Sequence, residues 1–548
     1  MTQPWPLPWE PDPQYRKRVA YFSMEYAIDQ PLKIYSGGLG FLAGSHMRSA
    51  FDLRQNLIGI GMLWKNGYYD QVRHDDQSMR VQFQKKYYPF LVDTGICVSV
   101  TVNGHPVWVK ALLLPPEVFG TAPLYLLTTD IPENDYLAQT ITHRLYDTEP
   151  STRIAQSIVL GLGGAQVVER LGGADVYHLN ESHGLPLAFH LMTRLQDSQA
   201  VRRRVVFTTH TPEKAGNPEH ELDFLRQMGF FGELSEAQVT EQTGMRGPRF
   251  SHTLAALRLA GRANGVSRLH GEVANRMWGD EPGICPISSV TNAQNARFWQ
   301  DGVLRQALAR DDDAALIRRK RELKRQLFQV VADQTGKLFN PEVLTIVWAR
   351  RFAAYKRADL LLHDLYRFAR LIEQSERPVQ LIWAGKPFPF DQAAIELFNR
   401  LIRLSYKTAR CAVLTGYELQ LSRLLKQGAD VWLNTPRRLR EASGTSGMTA
   451  AMNGAVNLSV GDGWVPEFAR DGHNCLLIPD ADPTLDAAGQ DAVDYSQLMN
   501  ILEHQVRPWY YDQHERWLAL VKQGMRDVLP RFDSDRMADE YYWTMYEQ

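Results

Sequence analysis

Residues 441–454 form a run rich in small residues, which reads Glu441-Ala442-Ser443-Gly444-Thr445-Ser446-Gly447-Met448-Thr449-Ala450-Ala451-Met452-Asn453-Gly454. The small side chains from Ala442 to Gly447 let the backbone approach a ligand closely. The segment Thr449 to Asn453 can continue as a helix, whose N-terminal N–H groups favour an anion. The run therefore predicts a sugar- or phosphate-binding turn. An ordinary Gly-rich connection from strand to helix is the alternative, with Glu441 as a buried helix cap or ion-pair partner.

The charge of the chain is balanced. Its 548 residues include 61 Lys and Arg against 62 Asp and Glu, which gives a formal net charge of -1. Nothing here attracts nucleic acid or an anionic membrane globally, so any cationic site must be local. No run approaches about 18 apolar residues, and the Pro- and Trp-rich N-terminus, Met1 to Pro13, lacks the basic and apolar regions of a signal peptide. We expect neither export nor a membrane span.

The cysteines and the acidic run point to no metal or disulfide framework. Four cysteines lie far apart without a CxxC spacing and suit a reducing cytoplasm: Cys97, Cys285, Cys411 and Cys475. Asp311-Asp312-Asp313 is interpreted as a solvated loop or helix N-cap rather than a metal site.

Short apolar segments that alternate with helical patterns predict an α/β protein with parallel sheets. In the first half, a glycine turn at residues 36–40 joins a strand to a helix, and three alternating segments suggest a β-rich insertion. The strands predicted there are 18–23, 97–102, 106–114, 122–129, 176–179, 205–208 and 284–290, and the helices are 41–53 and 151–171.

A second α/β series follows a charged, helix-prone run at residues 307–332. Its predicted strands are 344–349, 379–384, 411–414 and 430–433, and residues 495–548 are predicted to be helical. Two doubly wound halves follow from this count. We expect an N-terminal domain at 1–305, a C-terminal domain at 306–495, and helices at 496–548 that pack across the domain junction.

The run that begins at Glu441 closely resembles the signature of the α-glucan phosphorylases, and the resemblance extends from Tyr21-Phe22-Ser23-Met24-Glu25 to the Arg536-Met537 helix. It looks like the short bacterial form. The resemblance implies a GT-B fold, in which two Rossmann-like domains face a central cleft.

In that family a lysine of the same run carries pyridoxal phosphate as a Schiff base, and here Thr449 takes its place. A hydroxyl cannot form an imine. We therefore expect no cofactor, and in particular no covalently bound pyridoxal phosphate at this position. Two smaller departures are Glu213-Lys214-Ala215-Gly216, where the family commonly has Val-Pro-Ala-Gly, and Ala293, where it has glycine.

The resemblance also implies a set of site residues. The backbone carbonyl of His210 would lie beside the anomeric carbon, Arg351 and Lys356 would bind phosphate, and Glu441 would accept hydrogen bonds from sugar hydroxyls. These four are the expected catalytic residues. The expected substrate-binding residues are Gly37, Gly38, His183, Asn292, Tyr355, Tyr417, Ser443, Gly444 and Thr445.

Retained sugar and phosphate contacts without the cofactor lysine lead to three hypotheses. The first is a retaining glucosyltransferase that uses an activated donor, such as a nucleotide sugar, whose leaving phosphate accepts the proton of the acceptor hydroxyl. The second is an α-glucan phosphorylase that releases glucose 1-phosphate and either binds pyridoxal phosphate non-covalently or uses phosphate without it. The third is a non-catalytic glucan-binding protein. The expected partners are a sugar donor and a carbohydrate acceptor, with oligomer formation left open.

Overall fold

The structure is a computed structural model that describes residues 7–482 and 484–547, so the first six residues of the Pro- and Trp-rich N-terminus lie outside the described part. Internal contacts divide the chain into two units. The first unit contains the chain up to Tyr69, Phe83–Asn295 and the chain from Ser534. The second contains Asp70–Gln82 and Ala296–Asp533. The expected boundaries at 305/306 and 495/496 thus differ from the observed ones, which fall at 295/296 and 533/534.

The first unit is built on a nine-stranded sheet. Its strands, in spatial order, are Ile287–Ser289, Arg262–Gly265, Val205–Thr208, Val176–Asn180, Val19–Phe22, Leu57–Met62, Leu124–Thr128, His105–Leu114 and Val92–Val102. Neighbours are parallel up to Leu124–Thr128, and the last two strands are antiparallel additions. The predicted β-rich insertion is therefore the edge of this sheet. A separate antiparallel pair is formed by Glu219–Glu221 and Arg249–Ser251.

Helices cover the strands of the first unit. They are Gly38–Asp52, Pro116–Phe119, Tyr136–Thr140, Pro150–Ile158, Gly164–Arg170, Pro186–Leu195, Ser198–Arg202, Leu222–Met228, Glu236–Thr243, His252–Leu259, Arg268–Trp278 and Ser534–Tyr541. The helix predicted at 151–171 contains a π turn at Val159–Gly163. A Cβ at Gly161 would lie 2.8 Å from the backbone nitrogen of Leu187, so this turn lets two backbones approach.

The second unit is built on a six-stranded sheet whose neighbours are all parallel. The spatial order is Cys411–Leu414, Val379–Ala384, Leu344–Ala349, Val431–Asn434, Val456–Val460 and Leu476–Ile478. Its helices are Ala296–Trp299, Gly302–Ala309, Asp313–Thr335, Leu365–Glu373, Gln392–Ser405, Leu419–Gly428, Ser446–Met452, Ala487–Ile501, Arg507–Tyr511 and His514–Phe532. No helix among the described residues has both the length and the apolarity to cross a membrane.

The hairpin of Asp70–Arg73 and Met79–Gln82 belongs to the second unit although the chain around it belongs to the first. Gln71 Nε2 donates to the carbonyl of Gly385 at 2.9 Å, and its Oε1 accepts the N–H of Gly416 at 3.0 Å. Nothing in the sequence pattern of the hairpin predicts that it joins the second unit, because the contacts link residues more than 300 positions apart.

The sequence predicts the mixed α/β class with parallel sheets, and the structure confirms it. Four strands of the two large sheets are not predicted from the sequence: Leu57–Met62, Arg262–Gly265, Val456–Val460 and Leu476–Ile478. The first contains Gly59 and Gly61, and a Cβ at Gly61 would lie 2.6 Å from the Tyr26 ring. The acidic run behaves as predicted, since Asp312 caps the helix Asp313–Thr335 by accepting the N–H of Ala315.

A buried ion pair attaches that helix to the second sheet. Lys324 Nζ lies 2.5 Å from Asp430 Oδ2 and donates to the carbonyl of Val343 at 2.7 Å. The same Asp430 oxygen accepts the N–H of Thr345 at 2.8 Å. The pair therefore joins the helix to the starts of two neighbouring strands.

We predict that Lys324→Met lowers the free energy of unfolding by about 3–5 kcal/mol, because it leaves Asp430 as an uncompensated buried carboxylate. Urea unfolding followed by circular dichroism measures the change. Arg325→Met, at an exposed position of the same helix, should change the value by no more than about 0.5 kcal/mol. Equal losses in the two variants would show that the ion pair has no special role.

Candidate active site

The carboxylate of Glu441 lies between two cations in the second unit. Lys356 Nζ donates to its two oxygens at 2.7 and 3.1 Å, and Arg350 Nη2 forms an ion pair with Oε2. Only 8–10% of each of these three side chains is exposed. The Tyr355 hydroxyl lies 3.5 Å from Oε1. We call Arg350, Lys356 and Glu441 the ion cluster.

The sheet brings the members of the ion cluster together. Arg350 directly follows the strand Leu344–Ala349, and Lys356 ends the 3-10 turn Ala354–Lys356 after it. Glu441 follows Val431–Asn434, which is the parallel neighbour of that strand. Because parallel neighbours end at the same edge of a sheet, their C-terminal loops meet there.

Asp462 fixes the backbone on which Glu441 sits. Its Oδ2 accepts the N–H groups of Arg440 and Glu441 at 3.2 and 3.0 Å, and its Oδ1 accepts the N–H of Gly463 at 2.8 Å. A Cβ at Gly463 would lie 2.1 Å from the carbonyl oxygen of Ser443, so this contact requires glycine.

The two acidic groups have opposite pKa shifts. Burial by itself raises the pKa of Glu441, but the charges and hydrogen bonds of Arg350 and Lys356 lower it to about 2. Burial raises the pKa of Asp462 to about 6, against the effect of its backbone donors and with a contribution from the charge of Glu441. At neutral pH Glu441 is therefore an ionised acceptor, while Asp462 titrates closer to neutrality than an ordinary aspartate.

The ion cluster has spare hydrogen-bonding capacity. Arg350 Nε and Nη1 and Ser443 Oγ are buried and find no hydrogen-bond partner within the described ranges. Buried donors of a guanidinium are costly to leave unpaired, and an oxyanion is the partner that suits them. The arrangement can thus accept a phosphate oxygen at Arg350 and a hydroxyl at Glu441 or Ser443.

Other residues expected in this unit surround the ion cluster in different ways. Gly444 has φ +72° and faces Glu441, and Thr445 precedes the helix Ser446–Met452. Tyr417 is buried, and its hydroxyl lies 3.4 Å from the carbonyl oxygen of Ala349. Arg351 is exposed, whereas its neighbour Arg350, which the sequence does not single out, contacts Glu441. The phosphate-binding role expected of Arg351 stays a prediction.

In the first unit, the carboxylate of Glu25 already binds backbone N–H groups of the glycine turn at residues 36–40. Glu25 Oε2 accepts the N–H groups of Ser36 and Gly37 at 2.6 and 3.1 Å, and Oε1 accepts the Tyr146 hydroxyl at 2.7 Å. The surface over the loop is open, because a Cβ at Gly37 or Gly38 would meet no atom within 4 Å. An anion that used these two amides would have to displace Glu25.

A second buried carboxylate holds the loop that contains His210. Glu181 Oε1 accepts the His210 N–H at 2.5 Å and the Thr211 hydroxyl at 3.1 Å. Glu181 has φ +70°, which is unusual for a residue with a side chain, and burial raises its pKa. His210 Nε2 lies 2.7 Å from Asn180 Oδ1. The sequence does not single out Glu181, because its partner lies 29 positions away.

The histidines expected in the first unit are neutral. Burial, with the nearby charges of His270 and His183, lowers the pKa of His210 to about 3. Burial and the charge of Arg153 lower the pKa of His183 to about 4. His183 Nδ1 and Asn292 Oδ1 are buried without a hydrogen-bond partner in the described part of the chain, so both retain capacity for a polar ligand.

Thr449 lies in the helix Ser446–Met452, and none of its surface is exposed. Its hydroxyl donates to the carbonyl of Ser446 at 3.0 Å, and its own carbonyl accepts Nδ2 of Asn453 at 2.8 Å. A fully packed threonine with a satisfied hydroxyl does not fit an imine-bound pyridoxal phosphate. Separately, no group of three or more potential metal ligands occurs among the described residues.

Comparisons with known proteins agree on one family. The model of the carbohydrate phosphorylase family matches residues 303–471, which include the ion cluster. The chain is 46% identical to an uncharacterized protein of Methanocaldococcus jannaschii, over 97% of this chain and 100% of that protein. It is 32% identical to maltodextrin phosphorylase of Thermococcus litoralis, over 98% and 71% of the two chains. It is 34% identical to glycogen phosphorylase of Mycobacterium tuberculosis, over 96% and 70%.

We predict that Gly444→Ala destabilises the protein by about 1–2 kcal/mol, because an L-residue is strained at positive φ. The new Cβ would also lie 3.3 Å from Glu441 Cγ. Thermal unfolding measures the change. Gly302→Ala is the control, since a Cβ there meets nothing within 4 Å and the change should be neutral or stabilising by up to about 1 kcal/mol. An unchanged Gly444→Ala protein would show that this turn tolerates a side chain.

Proposed function

The chain belongs to the carbohydrate phosphorylase family, and from this premise we propose that it transfers glucosyl units between an α-glucan and inorganic phosphate, with glucose 1-phosphate as the sugar phosphate. The observation that supports this proposal most is the ion cluster, where a buried guanidinium with two unpaired donors stands beside a lysine and an ionised glutamate. Relatives named glycogen and maltodextrin phosphorylase support the same reaction.

In the proposed reaction, Arg350 and Lys356 bind the phosphate, and the carboxylate of Glu441 accepts a hydrogen bond from a sugar hydroxyl. A phosphate oxygen forms the bond to the anomeric carbon on the face from which the glucan leaves. The phosphate proton passes to the glycosidic oxygen as the carbon–oxygen bond breaks. The products are glucose 1-phosphate and a glucan shortened by one unit. Cations placed before the reaction favour the oxyanions that develop in the transition state.

We propose further that no pyridoxal phosphate is attached at Thr449. In the family this cofactor supplies a second phosphate group beside the substrate phosphate. The packing of Thr449 and the internal hydrogen bond of its hydroxyl support the proposal. The reaction written above therefore uses only the proton of the substrate phosphate.

A second candidate is a retaining glucosyltransferase that takes a nucleotide sugar. The presence of Thr449 favours it, because a nucleoside diphosphate sugar carries its own second phosphate. The names of the relatives favour phosphorolysis instead, so the order of these two hypotheses is reversed from the one that the sequence predicts. A non-catalytic glucan-binding protein is the third hypothesis.

The remaining expectations form part of the same proposal. They are the GT-B arrangement with its common cleft, a site that uses His210, His183, Asn292, Gly37 and Gly38 as well as the ion cluster, and a cytoplasmic location. Cys285, Cys411 and Cys475 are free and buried, and Cys97 is free and exposed, which suits a reducing compartment.

We predict that Lys356→Gln lowers kcat/KM for phosphate-dependent release of glucose 1-phosphate from maltodextrin by about 10²–10³-fold, because it removes a cation from the developing oxyanion. Arg325→Gln removes an exposed cation elsewhere and should leave the rate unchanged.

The same assay with UDP-, ADP-, GDP- and dTDP-glucose as donors tests the second candidate, the nucleotide-sugar glucosyltransferase. Glucose transfer from one of these, without phosphorolysis, would overturn the proposal. Glycogen binding without turnover, unaffected by Glu441→Ala, would indicate the third.

A further prediction concerns the cofactor. Wild-type protein incubated with pyridoxal phosphate and then dialysed should retain no absorbance between about 330 and 420 nm, because no amine is present at position 449. Thr449→Lys should retain that absorbance, and borohydride should then fix a pyridoxyl group at position 449, whereas Thr449→Arg, a cation that forms no imine, should retain none. Pyridoxal phosphate that stays bound to the wild-type protein after dialysis would contradict the proposal of a cofactor-free enzyme.

A further inference from the structure

A cavity of about 570 Å³ opens in the second unit, and its lining does not include the ion cluster residues. One wall is the segment from Arg357 to Leu365, and the opposite wall is the end of the helix Gln392–Ser405 with Lys407 beyond it. Asp491 of the helix Ala487–Ile501 completes the lining. The volume lies within the range of small-molecule sites in proteins.

The polar lining of the cavity carries a surplus of positive charge. Four cationic side chains, those of Arg357, Arg400, Arg403 and Lys407, face two carboxylates, a difference of two. The carboxylates are already paired, Asp359 with Arg400 and Asp491 with Arg357. Asp494 and Glu396, which do not line the cavity, also pair with Arg357 and Arg403. The positive charge open to an anion therefore lies on Lys407 and on the exposed side chain of Arg403.

Two of the four cations remain available to a ligand. Among the described residues Arg403 pairs only with Glu396, which does not line the cavity. Because 60–65% of each of the two side chains is exposed, this ion pair contributes little stability. The ammonium of Lys407 has no hydrogen-bond or ion-pair partner anywhere in the described residues. Arg403 lines the cavity from the last turn of the helix, and Lys407 lines it from just beyond the end of that helix.

The wall formed by the segment from Arg357 to Leu365 is held by hydrogen bonds at Arg357, and leucines line the cavity between the charged groups. Arg357 is buried and donates to the carbonyls of Thr435 and Pro436, both at 2.9 Å, so this wall exists before a ligand binds. Leu360, Leu362 and Leu404 cover the space between the charged groups. A ligand that fits has an anionic end and a body that buries apolar surface.

We propose that this cavity binds a small phosphate ester, with its phosphate on Arg403 and Lys407 and its organic body against the leucines. Guanidinium and ammonium groups together are the common recognition pair for phosphate. The leucine surface gives an ester an advantage over inorganic phosphate. The proposed site is distinct from the ion cluster and does not depend on the proposed reaction.

The test is isothermal titration calorimetry of the full chain with inorganic phosphate, ribose 5-phosphate and AMP. The three probes share the phosphate and differ in the body that would cover the leucines. In the Lys356→Gln protein, where binding of inorganic phosphate at the ion cluster is weakened, we expect AMP or ribose 5-phosphate to bind at least about tenfold more tightly than inorganic phosphate. We expect Arg403→Gln/Lys407→Gln to weaken ester binding by at least about tenfold. Arg318→Gln/Arg325→Gln, which removes two exposed cations from another helix, should leave it unchanged.

Lys356→Gln separates this site from the ion cluster. Ester binding that survives Lys356→Gln and is lost in Arg403→Gln/Lys407→Gln supports the proposal, whatever reaction the protein catalyses. Binding lost in Lys356→Gln but kept in the double variant places the ester at the ion cluster and overturns it. Equal affinity of the Lys356→Gln protein for inorganic phosphate and both esters, or no binding of any probe at millimolar concentration, also overturns it.

Discussion

The buried carboxylate of Glu441 is the group on which the second unit's site depends. Taking a carboxylate out of water is costly, and only the two cations Arg350 and Lys356 make its ionised form stable there. The need to hold it explains the surrounding backbone. Asp462 accepts the N–H of Glu441, and Gly463 lets that loop approach Ser443. The two ion pairs hold the cluster together without a ligand, and the two unpaired donors of Arg350 make it attractive to an anion.

Both units hold the loops at their strand ends with buried acidic side chains. In the first unit, Glu25 accepts the amides of Ser36 and Gly37, and Glu181 accepts the amide of His210. Such loops have few hydrogen bonds of their own, so a carboxylate that accepts backbone N–H groups preorganises them. The consequence for chemistry differs between the loops. A ligand can join the ion cluster, whereas at Ser36 and Gly37 it would compete with Glu25.

Family membership and local chemistry point in different directions at one residue. The chain matches relatives named as phosphorylases over nearly its full length, yet a packed threonine occupies position 449. Membership follows from the many residues that set the fold, while attachment of an imine depends on a single amine. A change at one such position can alter the chemistry without a trace in the overall similarity. This is why the cofactor requires its own experiment.

The sequence by itself determines the strands of both sheets that carry continuous apolar runs, such as Leu344–Ala349, and the helix cap at Asp312. It also singles out Glu441 and Lys356, because local periodicity and a glycine-rich run are visible in a short window. Only the tertiary structure decides that Arg350 contacts Glu441, that Glu25 and Glu181 hold distant loops, and that residues 70–82 join the second unit. Strand direction, register and loop contacts couple residues far apart in the chain, and no local pattern encodes those couplings.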